Sequence, residues 1–196
     1  MSQWPDSFSA EGDHVRIEPL ATEHEADLRE AAADGELHKL WYTTVPTPEG
    51  VTDEIARRQA LREAGSMLPF AVLEKSSGRA VGMTTYMNIA AENRRLEIGS
   101  TWCRKSVQRT PLNTECKLLL LRHAFEELDC IAVEFRTHVM NRASRPAIER
   151  LGAKFDGVLS AHMIMANGTI RDTAVYSITA PEWPTVAANI EFMLER

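Results

Sequence analysis

LEIGSTWCRKSVQRTPLNTECKLLLL, residues 96–121, changes texture twice within one stretch. Residues 96–103 alternate and carry strand-favouring side chains, whereas the leucine run from residue 118 belongs on a helix. The polar RKSVQRT between them has to deliver the chain from one element to the other. A helix start leaves its first backbone N–H groups without internal partners, and those donors together with the helix dipole form a ready anion site. Thr110 suits the N-cap and Pro111 the first helical position, which leaves the N–H groups of Leu112, Asn113 and Thr114 near an anion, with the side chains of Asn113 and Thr114 as further donors. The same residues also make a well-capped helix that holds nothing.

Outward from this stretch the chain alternates strands and helices. HVRIEPL at 14–20 reads as a first strand. Thr22, with Glu25 three positions on, predicts a capping box ahead of a helix that runs to about Ala33. TTVPTPEG is a loop, and residues 52–64 predict a second helix closed by Gly65. MLPFAVLEK and AVGMTTYMNI form two strands joined across SSGR, and LEIGSTWC is the third consecutive strand. The leucine helix then places Leu118, Leu121, Phe125 and Leu128 on one face, with Arg122 and Glu126 off it. IAVEFRTHV is another strand, RASRPAIERLG a short helix closed by Gly152, and HMIMANGTIRDTAVYSI a hairpin turned at Asn167 and Gly168. The strand-helix-strand step through the leucine helix requires a right-handed crossover and a locally parallel pair. Fold class is therefore mixed α/β, a largely antiparallel central sheet flanked by helices.

The 196 residues suit one domain, read as a flexible lead-in over 1–13 and a single domain over 14–196. With 44% hydrophobic and 26% charged residues the composition is that of a globular protein. No apolar run approaches the roughly 20 residues that span a bilayer, and the N-terminus lacks the pattern of a secretion signal, so no membrane association is expected and the cytoplasm is the expected compartment. Cys103, Cys116 and Cys130 are odd in number and lack metal-ligand spacing, which predicts reduced thiols and no metal. A net charge of −6 argues against a nucleic-acid partner.

The strand bearing EIG, the Gln108 turn and the long helix, with NRASRPAIERLGAKFDG at 141–157, resemble the GNAT superfamily of acyl-CoA-dependent N-acetyltransferases over about residues 14–178, and most closely the branch that includes RimJ and RimL. In that family an Arg or Gln followed by x-x-Gly-x-Gly or Ala cradles the CoA pyrophosphate. This sequence keeps Gln108 and replaces the two small positions by Pro111 and Asn113. Pro111 removes one cradle donor and fixes φ near the value of a first helical residue. The resemblance implies acetyl-CoA held by Gln108, Arg109, Thr110, Leu112, Asn113 and Thr114. It further implies that Asn141 bonds the pantetheine arm, that Ser144 lies where the departing thiolate needs a proton, and that the EIG strand splays from its parallel neighbour at a bulge suited to Gly99. Asn141 and Ser144 are equally ordinary helix caps, and Trp102 lines the acyl pocket or belongs to the core. Arg104, Lys105, Arg109, Arg142 and Arg145 are placed to meet phosphates or are surface charges.

Acyl transfer from a thioester to an amine needs a neutral amine, a polarised carbonyl and a proton for the thiolate. The resemblance implies that a strand N–H near Ser100 or Thr101 polarises the carbonyl. Glu97 is the nearest carboxylate in sequence to accept the amine proton, and His138 is a second candidate base. Ile148 stands where many family members carry a tyrosine acid, so Ser144 or water must substitute. The function implied is acetyl transfer to a primary amine, on a small molecule or a protein N-terminus. A CoA-binding or protein-interaction module without catalysis is the alternative, motivated by the lost glycines and tyrosine. The C-terminal hairpin offers an edge strand through which a homodimer would pair.

Overall fold

The computed structural model describes residues 4–195, so residues 1–3 of the expected lead-in lie outside the described residues. One eight-stranded sheet organises the chain. Its strands are β1 (Ala10–Glu11), β2 (Val15–Pro19), β3 (Met67–Glu74), β4 (Arg79–Ala90), β5 (Arg95–Cys103), β6 (Ala132–His138), β7 (Lys154–Ile164) and β8 (Ile170–Thr179), in the spatial order β1-β2-β3-β4-β5-β6-β8-β7. Every neighbour is antiparallel except β5 and β6, the pair joined through the leucine helix.

Helices cover both faces because β3 alternates between two cores. Leu68, Phe70 and Val72 face α3 (Pro111–Arg122), α4 (Ser144–Arg150) and α5 (Trp183–Leu194), while Ala71 and Leu73 join a second core with Leu28 of α1 (Glu25–Ala33) and with Val51 and Ile55 of α2 (Val51–Glu63). A fully buried Leu or Ile contributes about 1.5–3 kcal/mol, so each layer is fixed by a handful of such side chains. Gly65, φ 74, ends α2 in the left-handed conformation that Gly tolerates without steric cost.

Several expectations change. Thr22 does not cap a helix: it opens a 3-10 turn over Thr22–His24, where His24 Nδ1 accepts the Ala21 N–H at 3.1 Å, and α1 begins only at Glu25. The N-cap position falls one residue earlier, at Ala21, with the His24 imidazole accepting its N–H. The leucine helix runs α-helical to Arg122 and then widens into a π turn at His123–Glu127, which shifts the register before Leu128. Arg122 and Glu126, placed off the apolar face, dock α5: Arg122 Nη2 donates to Glu191 Oε1 at 2.7 Å and Trp183 Nε1 to Glu126 Oε1 at 3.0 Å. α5 itself was missing from the expected order. Its signal is Pro184 in the first helical turn followed by Val186 and Ile190 on one face. Within the segment read as a lead-in, Ala10–Glu11 pairs with β2, and Phe8 stacks on His123 with ring centroids 3.5 Å apart.

Candidate active site

The parallel pair stops early. β5 meets β6 only at Arg95↔Ala132, Leu96↔Val133 and Glu97↔Glu134. Beyond this point β6 continues along β8 to His138↔Thr173, while β5 continues along β4 to Gly82↔Cys103. The two strands part like a fork, and β5 from Ile98 onward turns an edge without a strand partner toward the opening. Such an edge carries backbone donors and acceptors that an extended, amide-bearing ligand satisfies as an added strand.

A bulge lies on this edge. The register passes from Thr85↔Gly99 to Met83↔Trp102, so Ser100 and Thr101 together face Thr84. Gly99, expected to suit the bulge, pairs with Thr85 just before it, and the left-handed residue is Ser100, φ 46. Gly99 answers a different need, since a Cβ there would lie 2.7 Å from Glu97 Oε1 and 2.8 Å from Met87 Sδ. From one face Arg58 Nη2 donates to Ser100 O at 3.0 Å, and from the other Lys117 Nζ donates to Thr101 Oγ1 at 2.8 Å.

At the start of α3 the capping prediction holds. Thr110 is the N-cap, with its Oγ1 accepting the Leu112 N–H at 3.4 Å, and Pro111 is in the first turn. Arg109 at φ 65 makes the corner, and Gln108 Nε2 donates to Cys103 O at 3.0 Å, tying the loop to the end of β5. Lys105, Gln108, Arg109 and Thr110 are exposed and Asn113 is half-buried, so one end of the helix presents two cations and uncapped donors. Thr114 is turned inward, accepting Arg150 Nη2 at 2.9 Å. Arg104 pairs with Asp34 at 3.1 Å.

Glu97 stands at the fork, 4% exposed. Asn88 Nδ2 donates to its Oε2 at 2.6 Å and Arg136 Nε lies 3.5 Å from the same oxygen. Burial raises its pKa above the usual carboxylate value, against the lowering effects of the Asn88 hydrogen bond and of Arg136. On the same side, at the end of β6, His138 is buried. Its Nδ1 accepts the Met140 N–H at 3.1 Å, Trp41 packs edge-on at 5.2 Å, and its Nε2 has no hydrogen-bond partner among the described residues. Burial, followed by Arg171, lowers its pKa, with Asp172 opposing.

Ahead of α4, whose N-cap is Ala143, Asn141 Oδ1 accepts the Ser144 N–H at 3.0 Å. Its Nδ2 makes no hydrogen bond among the described residues and stays available as a donor. Ser144 is half-buried at the same helix start. Arg145 is committed elsewhere: Nε donates to Tyr176 Oη at 2.8 Å, Nη1 to Val139 O at 3.4 Å, and the guanidinium sits 5.7 Å from the Phe155 ring centroid. These contacts pin α4 to the hairpin and leave Arg145 facing Tyr176 rather than a phosphate. Ile148 is buried and has no proton to give. Trp102 lies in the core beneath α1 and α2, with its indole N–H unpartnered among the described residues.

Sequence reasoning overlooked Arg58, Lys117, Asn88 and Arg136. Lys117 carried a signal, since it lies four residues before Leu121 and thus on the buried face. Arg58 carried the same kind of signal, lying three residues after Ile55 on the buried face of α2.

Residues 14–154 match the family model described as the acetyltransferase (GNAT) domain. Over 106 residues the chain is 32% identical to a protein named as the ribosomal N-acetyltransferase YdaF of Bacillus subtilis; the match spans 54% of this chain and 57% of that protein. A GCN5-related N-acetyltransferase from Brucella melitensis superposes with a TM-score of 0.88 at 30% identity, covering 97% of this chain and 86% of that one. RimJ from Mycobacterium smegmatis, solved in complex with CoA-disulfide, shares the fold with a TM-score of 0.81 at 21% identity, over 98% of this chain and 97% of its own.

Proposed function

Because the chain belongs to the GNAT family of acetyl-CoA-dependent N-acetyltransferases, we propose that it moves the acetyl group of acetyl-CoA to a primary amine by direct attack within a ternary complex. One observation carries this reading: the β5 edge opens beside a helix N-terminus, with a buried carboxylate at the fork. Acetyl-CoA supplies the activated thioester. The first turn of α3, with Asn113, Gln108, Arg109 and Lys105, would hold its pyrophosphate; Pro111 contributes no N–H and Leu112's is taken by the cap, so the remaining donors and the cations carry the site. The β5 edge from Ile98 to Thr101 and the free amide of Asn141 would hold the pantetheine arm.

The chemistry assigned to the chain follows from charge. Backbone N–H groups at the Ser100–Thr101 bulge polarise the thioester carbonyl and stabilise the oxyanion that develops on it. Glu97 takes a proton from the incoming ammonium, directly or through water, and the burial that raises its pKa brings it nearer the value a general base needs at neutral pH. The amine nitrogen bonds to the carbonyl carbon, the C–S bond breaks, and the thiolate takes a proton from Ser144 or water.

For the acceptor we propose a protein N-terminus, a ribosomal protein foremost. The B. subtilis relative is named as a ribosomal N-acetyltransferase, and Trp41, from the segment over residues 36–50, packs against His138 beside the fork. The cytoplasm is the compartment that fits three free, buried cysteines. We further propose a homodimer through β7, an edge strand on which Phe155, Val158, Leu159, Met163 and Ile164 are all exposed.

The test is CoA release from acetyl-CoA with N-terminal peptides of ribosomal proteins and a panel of small amines. Turnover is expected with at least one acceptor, and Glu97→Gln lowers it by about 10²–10³-fold while leaving the melting temperature at neutral pH equal or higher. The raised pKa means that ionised Glu97 weighs against the fold above its titration. Binding of acetyl-CoA with no turnover on any acceptor establishes the non-catalytic module instead.

A further inference from the structure

Two buried cations converge on the β5 bulge, one from each face of the sheet. From α2, Arg58, 2% exposed, donates to Ser100 O at 3.0 Å, to Thr85 Oγ1 at 2.7 Å and to Glu54 Oε1 at 2.6 Å. From α3, Lys117, 6% exposed, donates to Thr101 Oγ1 at 2.8 Å and to Thr84 Oγ1 at 3.1 Å. Ser100 and Thr101 are the two residues of the bulge, and Thr84 and Thr85 are the stretch of β4 that faces it. Each cation thus grips one residue on each strand.

The fold does not require this arrangement. Thr84 and Thr101 already satisfy one another with hydroxyl oxygens 2.8 Å apart. Lys117 makes no ion pair among the described residues, and burial lowers its pKa, so its charge is a burden on stability rather than a source of it. Ser100 also holds φ 46 without being Gly, a conformation that persists only where its surroundings impose it.

We propose that Arg58 and Lys117 form a two-sided clamp that sets the Ser100–Thr101 bulge for acyl transfer, and that both are positioning residues. The inference rests on the reading above, in which this bulge seats the thioester carbonyl. A bulge has lost part of its ladder and is locally soft, yet an oxyanion donor acts only when it is held at hydrogen-bond distance from the developing charge. The clamp removes that softness from both faces. Arg58 does more than hold: the Ser100 carbonyl and the Thr101 N–H belong to one peptide group, so a charged donor on the carbonyl polarises the group and strengthens the N–H as a donor. Lys117 places positive potential on the other side of the same peptide.

The experiment uses the full chain with [1-13C]acetyl-CoA and isotope-edited infrared spectroscopy of the thioester carbonyl, alongside calorimetric titration with acetyl-CoA and with CoA. Lys117→Met leaves the Thr84–Thr101 contact in place; Arg58→Met leaves Glu54 held by Arg57 at 2.7 and 2.9 Å but takes the donor from Ser100 O and from buried Thr85 Oγ1, so its melting temperature is measured beside its spectrum. Wild type is expected to shift the carbonyl stretch to lower wavenumber. Each substitution removes most of that shift and lowers kcat by about tenfold, with CoA affinity changed less than about threefold; Arg58→Lys recovers part of the shift. A wild-type shift that survives both substitutions, or a loss of CoA affinity in step with it, overturns the clamp. Acetyl-CoA bound without any wild-type shift overturns the seat at the bulge, and failure of both CoA and acetyl-CoA to bind overturns the acyl-CoA reading itself.

Discussion

Glu115 is a buried carboxylate on α3 that closes the start of the domain. Its Oε1 accepts the Asp13 N–H at 2.8 Å, and its Oε2 accepts those of His14 at 2.7 Å and Val15 at 2.8 Å. Replacement by Ala strips three donors of their acceptor. Water reaches Asp13 and His14, which are exposed, so each loses about 1 kcal/mol, whereas the buried Val15 N–H is orphaned at about 2 kcal/mol. The expected loss is about 4 kcal/mol, a large share of the roughly 5–15 kcal/mol of a typical domain. Glu115→Gln keeps one oxygen for two donors but sets an amide N–H against the third, and should lose about half as much. Gly12→Ala attacks the same contact from the other side, because its Cβ would lie 2.3 Å from Glu115 Cδ. Urea unfolding followed by tryptophan fluorescence gives the ranking: wild type most stable, then Glu115→Gln, then Glu115→Ala, with the slope unchanged. A Glu115→Ala loss below about 1 kcal/mol would refute the reasoning, since it would mean that the three bonds contribute no more than water does.

Asn113→Ala should raise the Kd for acetyl-CoA about three- to tenfold, the worth of one hydrogen bond to a phosphate, by calorimetry; an unchanged Kd removes that side chain from the pyrophosphate site. Burial lowers the pKa of His123 from 6.5 to about 4. The unfolded chain therefore takes up more protons than the folded one between those values, and stability falls as pH drops through that window. Melting curves from pH 7 to 4.5 should show a decline that is shallower in His123→Phe, which keeps the stack on Phe8; parallel curves would show that His123 is not its source. Ile164, 79% exposed on β7, should report the dimer: Ile164→Asp is expected to be monomeric by analytical ultracentrifugation where wild type is dimeric, and a monomeric wild type defeats the edge-strand interface.

Local patterns made much of the architecture readable. Thr110 and Pro111 announced the start of α3, Gly65 the end of α2 and Asn167–Gly168 the last turn, because caps and turns are decided by residues within a few positions of one another. The crossover through the leucine helix likewise implied one parallel pair, which is β5 with β6. Thr22 failed as a cap for a local reason too: the N-cap is Ala21, and the imidazole of His24, three residues after it, accepts its N–H.

The sequence by itself determined the order of most elements, the sheet's parallel step and the capped start of α3. Tertiary structure alone decided what the buried charges hold. Arg58 and Ser100 are 42 residues apart, Lys117 and Thr84 33, and Glu115 and Val15 100, and no periodicity relates such positions. Arg145 lay beside the expected phosphate site in sequence, yet Tyr176, 31 residues on, takes its guanidinium. Side-chain hydrogen bonding acts over about 3 Å, so it is settled only when the sheet has brought distant segments together.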